Sequence, residues 1–171
     1  MPERRSSLNS DEFEAHANAL GEIESLELYV LKTHLLMEAA LKSSLAQRLG
    51  TTEDQLPQLN FDTLARLALL GLRLDGEFLL RQVRLINKLR NEFAHNLEPA
   101  NYMYTIRDFV LQGFGGGSWP NDEQAQLDRF RRELSMLLGF LQALGGYFPV
   151  AEPQSVPPKL PRLSRANISA D

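Results

Sequence analysis

The stretch GEFLLRQVRLINKLRNEFAH, residues 76–95, places apolar side chains at every third or fourth position. The apolar set comprises Leu79, Val83, Ile86, Leu89 and Phe93. With 3.6 residues per turn, this spacing gathers them on one side of an α-helix, so the stretch predicts a helix that buries that side in a core. Asp75 is placed to cap the start of this helix, and Pro99 closes the region beyond its end.

The residues before this stretch predict two more helices. The first is long and runs from about 11 to 48, with a joint at Gly21, and Gly50 ends it as a C-terminal glycine does. The second is short, follows an N-cap at Asn60 and ends at Gly71. Both present leucine-rich sides that can pack against the helix of residues 76–95.

A last helix is predicted from residues 121–122 to the glycine pair 145–146. Its apolar seam consists of Leu127, Phe130, Leu134, Leu137, Leu141 and Leu144. Such a seam packs against other helices, and here it favours an assembly of two subunits. Because the chain lacks a β pattern, we predict an all-α fold, a four-helix up-and-down bundle.

Other segments flank or interrupt the bundle. Residues 97–120 are predicted to form an irregular glycine-rich insertion with a flexible end and a short helix near 104–111. Residues 149–171 hold five of the nine prolines and predict an extended or disordered tail. With a loose N-terminus over 1–9, the helical domain is expected to span 10–148.

The composition excludes several classes of function. A chain of 171 residues with 43% hydrophobic content fits one domain. The absence of cysteine excludes disulfide scaffolds, thiolate metal sites and cysteine nucleophiles, and we expect neither a metal nor a cofactor. The net charge of −4 argues against a general nucleic-acid coat. Because neither a membrane-spanning run nor a signal-peptide pattern is present, we expect a cytoplasmic protein that does not contact membranes.

A compact polar face lies beside the apolar side of the helix of residues 76–95. It carries Arg84, Asn87, Asn91 and His95, and Arg90 lies at its margin. An arginine can stabilise phosphoryl oxygens and an imidazole can move protons near neutral pH, so this face can promote attack of a ribose 2′-hydroxyl on the adjacent phosphate without a metal. The alternative is structural: these side chains satisfy the carbonyls at the end of the helix.

Residues 89–95, Leu-Arg-Asn-Glu-Phe-Ala-His, resemble the Arg-x4-His signature of the HEPN superfamily, with Asn91 as the polar residue that often follows the arginine. A long helix, a short leucine-rich helix and the turn Leu70-Gly71-Leu72 precede the motif, which is similar to the branch typified by the mannitol operon repressor. The resemblance covers about residues 20–148. It implies a four-helix bundle that dimerises with its motif helices facing each other across the interface.

Many members of this superfamily are metal-independent endoribonucleases, often toxins or defence effectors. The resemblance implies that Arg90 binds or polarises the scissile phosphate, Asn91 orients the site and His95 is the acid–base, in a composite site of two subunits. Cleavage would leave 2′,3′-cyclic phosphate ends. Toxins that are silenced by nucleotidyltransferase antitoxins carry a tyrosine two residues after the histidine, where this chain has Leu97.

Supporting roles are assigned to residues near the motif. Arg84, Asn87 and Lys88 lie on the basic part of the helix and are predicted to bind the RNA substrate. Glu38 and Lys42 match a Glu-x3-Lys element that accompanies the motif in some HEPN ribonucleases, or form an ordinary surface pair four residues apart.

Glu27 and His34 lie seven residues apart near the apolar side of the first helix. In one interpretation they pair with each other in the core, since buried polar groups need hydrogen-bond partners. In the other, Glu27 reaches Arg90 from a facing helix.

Two functions remain in competition. The first is a metal-independent endoribonuclease that acts on RNA as a homodimer. The second is a non-catalytic regulatory or protein-interaction homodimer of the repressor-like type. In either case the tail of residues 149–171 is a candidate for binding a protein antitoxin or a regulatory partner.

Overall fold

A computed structural model describes residues 10–72, 76–95 and 101–147. Within these ranges the chain forms six α-helices and two short 3-10 turns, without a strand. The helices are α1 (Ser10–Ala19), α2 (Leu26–Leu49), α3 (Phe61–Leu69), α4 (Gly76–His95), α5 (Tyr102–Leu111) and α6 (Glu123–Tyr147). The prediction of an all-α fold is confirmed for this part of the chain. The expectations for residues 1–9, Asp75, Leu97, Pro99 and the tail of 149–171 concern residues outside it.

Four helices pack in a ring: α2 on α4, α4 on α5, α5 on α6, and α6 back on α2. The short α3 packs across α2 and α4, and α1 packs on α2. The fourth place in the ring belongs to α5, which the sequence predicts only as a short helix inside an irregular insertion. Because Ile106 and Phe109 of α5 are fully buried against this core, the insertion is part of the fold.

The ends of the early helices follow local signals that the sequence contains. Gly50 takes the left-handed conformation (φ 61°) that closes α2, and the Asn60 side chain accepts a hydrogen bond from the Thr63 amide at the start of α3. The long predicted helix is split near its expected joint. A 3-10 turn at Leu20–Glu22 separates α1 from α2, and Ser25 caps α2.

The last helix runs through the glycine pair 145–146, where its end is predicted, to Tyr147 one residue beyond it. A glycine ends a helix where its backbone takes a positive φ. The glycines that take a positive φ near helix ends in the described residues include Gly50 and Gly71.

The leucine seam of α6 packs within its own chain. Leu127 is half-buried, and the buried members are Phe130, Leu134, Leu137, Leu141 and Leu144. The helix that α6 contacts most is α2, where Arg131 of α6 lies over the ring of Tyr29 with its guanidinium carbon 5.3 Å from the ring centroid. The seam therefore belongs to the core, and it does not support the expectation of a second subunit.

Two side chains of α6 fasten the glycine-rich loop that precedes it. The Glu133 carboxylate is 2% exposed and accepts the amide of Gly115 at 3.0 and 3.1 Å. The Arg129 guanidinium donates to the carbonyls of Gly116 and Ser118. We call these hydrogen bonds of Glu133 and Arg129 the clasp. They hold in place a segment whose glycine content predicts flexibility.

Replacing Gly115 with alanine is expected to lower the free energy of unfolding by about 1–3 kcal/mol. A Cβ atom at this position would collide with Oε1 of Glu133, which cannot withdraw without leaving a buried carboxylate unpaired. Urea unfolding measures the change. Gly139→Ala is the control, because a Cβ there meets nothing within 4 Å and alanine favours the helix. Equal midpoints for Gly115→Ala and the wild type would show that the clasp is dispensable.

Candidate functional site

His34 of α2 and Asn87 of α4 form a polar contact between the two helices that carry the predicted site. Nε2 of His34 lies 3.0 Å from Oδ1 of Asn87, and the imidazole ring packs on Phe61 of α3 with centroids 4.2 Å apart. An amide oxygen only accepts hydrogen bonds, so Nε2 is the donor and carries the proton. The contact therefore fixes one tautomer of a buried histidine and the position of α4 along α2.

The surroundings of His34 bring together several predicted site residues. Burial lowers the pKa of His34, and the hydrogen bond to Asn87 opposes that shift. Arg90 lowers the pKa of His34 further through its charge, whereas Glu38 raises it. Thus Asn87, Arg90 and Glu38 all act on the imidazole of His34, Asn87 by direct contact and the other two through their charges.

Among the described residues, Glu27 makes neither of its two predicted contacts, with His34 or with Arg90. His34 pairs with Asn87, and the Arg90 guanidinium donates through Nη1 to Oδ1 of Asn91 at 2.9 Å. Glu27 lies exposed in the first turn of α2. The predicted core pairing of Glu27 with His34 is wrong. Glu27 is exposed, and the imidazole bonds instead to the side chain of Asn87 from α4.

His95 is the last residue of α4 and its side chain is exposed. In the part of the chain that the structure describes, no hydrogen bond or ion pair engages its imidazole. Arg90 lies five residues earlier, which is about 140° around the helix and about 7.5 Å along it. The two side chains of one protomer consequently point in different directions, and His95 is open to an incoming ligand.

The predicted substrate-binding cations differ in their partners. Arg84 makes two hydrogen bonds to Asp62 of α3, at 2.6 and 3.2 Å, and Asp62 also accepts from Arg66. These two arginines lower the pKa of Asp62 to about 2. Lys88 is exposed and lies 3.8 Å from Glu92 in a long ion pair. Arg84 therefore ties α3 to α4, whereas Lys88 can turn toward a phosphate.

The remaining predicted pair, Glu38 and Lys42, forms an ion pair along α2 at 2.6 Å between Oε1 and Nζ. Its geometry is that of an ordinary pair four residues apart on a helix. Glu38 lies four residues after His34 on the same helix, and its charge raises the pKa of that imidazole. Glu38 therefore acts on His34 through its charge while its carboxylate is paired with Lys42.

Lowering the pH below about 6.5 is expected to reduce the free energy of unfolding through His34. The pKa of His34 is lower in the folded protein than its ordinary value of 6.5, so the unfolded chain takes up the proton first and stability is lost as the pH falls. Urea unfolding at several pH values from about 7.5 to 5 measures the slope. His34→Gln should flatten it, and His16→Gln, at an exposed position, should not. An unchanged slope in His34→Gln would contradict the assignment.

The described ranges 10–72, 76–95 and 101–147 contain neither a metal-ligand cluster nor a membrane-spanning helix. No three histidine or carboxylate side chains there converge as metal ligands. No helix within them is long and apolar enough to span a membrane.

Neither a protein-family model, nor a curated protein, nor a solved structure matches this chain. The candidate site consists of Arg90 and Asn91, which are bonded to each other, His95, which is exposed at the end of the same helix, and the contact between His34 and Asn87.

Proposed function

We propose that the protein is a metal-independent endoribonuclease that acts as a homodimer, with Arg90, Asn91 and His95 of both protomers at the site. The exposure of His95 at the end of α4 supports this proposal most directly. The other histidine near the motif, His34, is buried and bonded to its own chain. The imidazole of His95 is instead accessible to a substrate.

The chemistry needs two proton transfers and one site of charge stabilisation. A base removes the proton of a ribose 2′-hydroxyl, whose oxygen bonds to the adjacent phosphorus. An acid protonates the 5′-oxygen as its bond to phosphorus breaks, which leaves a 2′,3′-cyclic phosphate and a 5′-hydroxyl. One His95 from each protomer supplies the base and the acid. Arg90 stabilises the charge on the phosphoryl oxygens in between.

The residues behind the site give it a fixed geometry. The hydrogen bond from Arg90 to Asn91 restrains the guanidinium, and the bond between His34 and Asn87 restrains α4 against α2. Asn91 is thereby a positioning residue for Arg90. Since a loosely held arginine loses much of its effect on a phosphate, this support favours a catalytic over an incidental role for Arg90.

The test is incubation of the purified protein with an end-labelled single-stranded RNA in the presence of EDTA. We expect cleavage, and mass spectrometry should find product ends lighter by one water than a linear phosphate. RNA that stays intact at high protein concentration would contradict the proposal.

A non-catalytic regulatory or protein-interaction dimer is the second candidate, and the exposed leucines of α2 favour it. It predicts that a protein partner, an antitoxin or a regulator, is still captured by Arg90→Ala and His95→Ala variants. Deleting residues 149–171 should abolish that capture if the tail holds the partner. Both candidates require that two copies of the chain associate.

A further inference from the structure

Three phenylalanine rings form a row where the glycine-rich loop meets α6. Phe114 of the loop stacks flat on Phe140 of α6, with ring centroids 4.8 Å apart and planes 5° from parallel. The ring of Phe78, at the start of α4, contacts Phe114 edge-on at 5.0 Å. Phe140 is 48% exposed and the other two rings are partly exposed, so the row forms an aromatic surface that solvent still reaches.

The outward side of α6 continues this row as an apolar stripe. Its members occupy positions i, i+3, i+4 and i+7 of the helix and are all exposed: Met136, Gly139, Phe140 and Ala143. Earlier in α6 the same side is polar, at Asp128 and Arg132. The apolar stripe therefore belongs to the half of α6 that leads to residues 148–171. We call this stripe, together with Phe78 and Phe114, the aromatic patch.

The clasp gives the aromatic patch a fixed shape. Phe114 lies directly before Gly115, whose amide donates to the buried carboxylate of Glu133, and Arg129 donates to the carbonyl of Gly116. The backbone that follows the Phe114 ring is thus anchored to α6. Because a preorganised surface loses little conformational entropy on binding, the patch can hold a ligand that a mobile loop would bind poorly.

The size of the aromatic patch favours an occupant from the same chain. A stable interface between separate proteins takes about 20–30 residues on each side, far more than the patch provides. A small surface is occupied when its ligand is tethered nearby, because a short linker gives an effective concentration in the millimolar range. The occupant is therefore best sought in the chain that continues from α6.

Residues 148–171 follow α6 directly and are long enough to reach the whole patch. Met136, the member of the stripe farthest from the end of α6, lies eleven residues before Tyr147, which is about 16 Å along the helix. An extended proline-rich segment advances about 3.1 Å per residue, so about six residues span that length. Enough residues remain to reverse the direction of the chain after Tyr147.

The sequence of this segment suits an aromatic surface. Residues 156–163 read Val-Pro-Pro-Lys-Leu-Pro-Arg-Leu. Proline-rich segments of this type bind surfaces lined by aromatic rings, because the stiff polyproline conformation has little entropy left to lose. Residues 156–163 are thus a ligand of the chemistry that the patch accepts.

The residues of this segment also divide into apolar and charged sides. Three residues complete one turn of a polyproline helix, so positions three apart share a side. One side carries Pro157, Leu160 and Leu163, the next carries Pro158 and Pro161, and the third carries Val156, Lys159 and Arg162. Two adjacent sides are therefore apolar and can cover the patch while the two cations stay in water.

We propose that residues 156–163 bind back onto the aromatic patch of their own chain. The side with Pro157, Leu160 and Leu163 faces the rings, and the chain runs back along α6 from its end toward Met136. This contact goes beyond the proposed function, because neither candidate function assigns an occupant to the aromatic patch. It depends neither on RNA cleavage nor on dimerisation.

The experiment uses the full chain, which lacks cysteine and has four methionines. A nitroxide attached to a Ser155→Cys variant broadens the NMR signals of nearby methyl groups, and carbon-13 labelling of methionine makes those signals visible. Met136 should broaden strongly. Met103, at the opposite end of α5 from the loop that carries Phe114, should keep its signal.

Phe140→Glu and Ala143→Glu, made in the labelled chain, should release the segment from the patch. The broadening of Met136 should then fall about threefold or more, because it depends on the inverse sixth power of distance and a released tail spreads over a wide range of distances. Tyr104→Glu is the matched control, at an aromatic residue of α5 that is 68% exposed and lies outside the patch. Circular dichroism verifies folding, and Ala143→Glu replaces an exposed helical residue, so it keeps the test valid if Phe140→Glu unfolds.

A mixed sample separates the chain's own tail from the tail of another copy. It combines carbon-13 protein without nitroxide and nitroxide protein without carbon-13, and Met136 should stay sharp in it. Broadening in the mixed sample as strong as in the doubly labelled chain would mean that another copy supplies the segment, which overturns the proposal. A sharp Met136 in the doubly labelled chain, or broadening that Ala143→Glu leaves unchanged, would also overturn it.

Discussion

Replacing His95 with alanine is expected to slow RNA cleavage by about 10²–10⁴-fold, the range that loss of one general acid or base produces. The midpoint of thermal unfolding should stay unchanged, because His95 is exposed at the end of α4 and contributes nothing to the core. The measurement is single-turnover cleavage of a labelled RNA with EDTA present. Expression in cells gives a second readout: growth arrest by the wild type should be relieved by His95→Ala.

Two comparisons make this result interpretable. His16→Ala removes an exposed histidine from α1 and should leave cleavage at the wild-type rate. Arg90→Ala should slow cleavage as well, and Arg90→Lys should recover part of it, because lysine restores the charge but not the paired donors of a guanidinium. Equal cleavage by the wild type and His95→Ala would mean that a co-purified nuclease or another residue cuts the RNA.

Replacing Leu137 with alanine is expected to lower the free energy of unfolding by about 2–5 kcal/mol. Leu137 is fully buried in the seam of α6, and its removal leaves a cavity between α6 and the rest of the core. Urea unfolding measures the loss. Met136→Ala, next to it but 40% exposed, should cost less than about 1 kcal/mol.

This prediction also separates a seam that packs within the chain from one that packs between subunits. Because the seam belongs to its own core, Leu137→Ala should lose the same stability relative to the wild type at every protein concentration. A loss of stability that appears only at high concentration would place the seam between two chains.

Local sequence signals predict the helix ends well where one residue decides them. Gly50 and Asn60 do so through their own conformation or side chain, and both act as predicted. The place of α5 in the ring depends on what the rest of the chain packs against it. Such tertiary preferences leave no distinct mark on a short stretch of sequence.

The candidate site, like the fold, is predictable from the sequence only in part. Periodicity alone places Asn87, Arg90 and Asn91 near one another, since they lie on one helix. It cannot show that His34 takes Asn87 as its partner, or that Asp62 binds Arg84, because each pair joins helices distant in sequence. The missed signal for His34 is its position: a histidine on the apolar side of a helix needs a polar partner from a neighbour.

The clasp on the glycine-rich loop bears on how this protein can be engineered. By composition, the run from Gly113 to Gly117 is the natural place to insert a fluorescent tag or to open the chain for circular permutation. An insertion there would pull the Gly115 amide away from the Glu133 carboxylate. Pro57 and Gln58, exposed and outside any helix, offer a junction that leaves the interior intact.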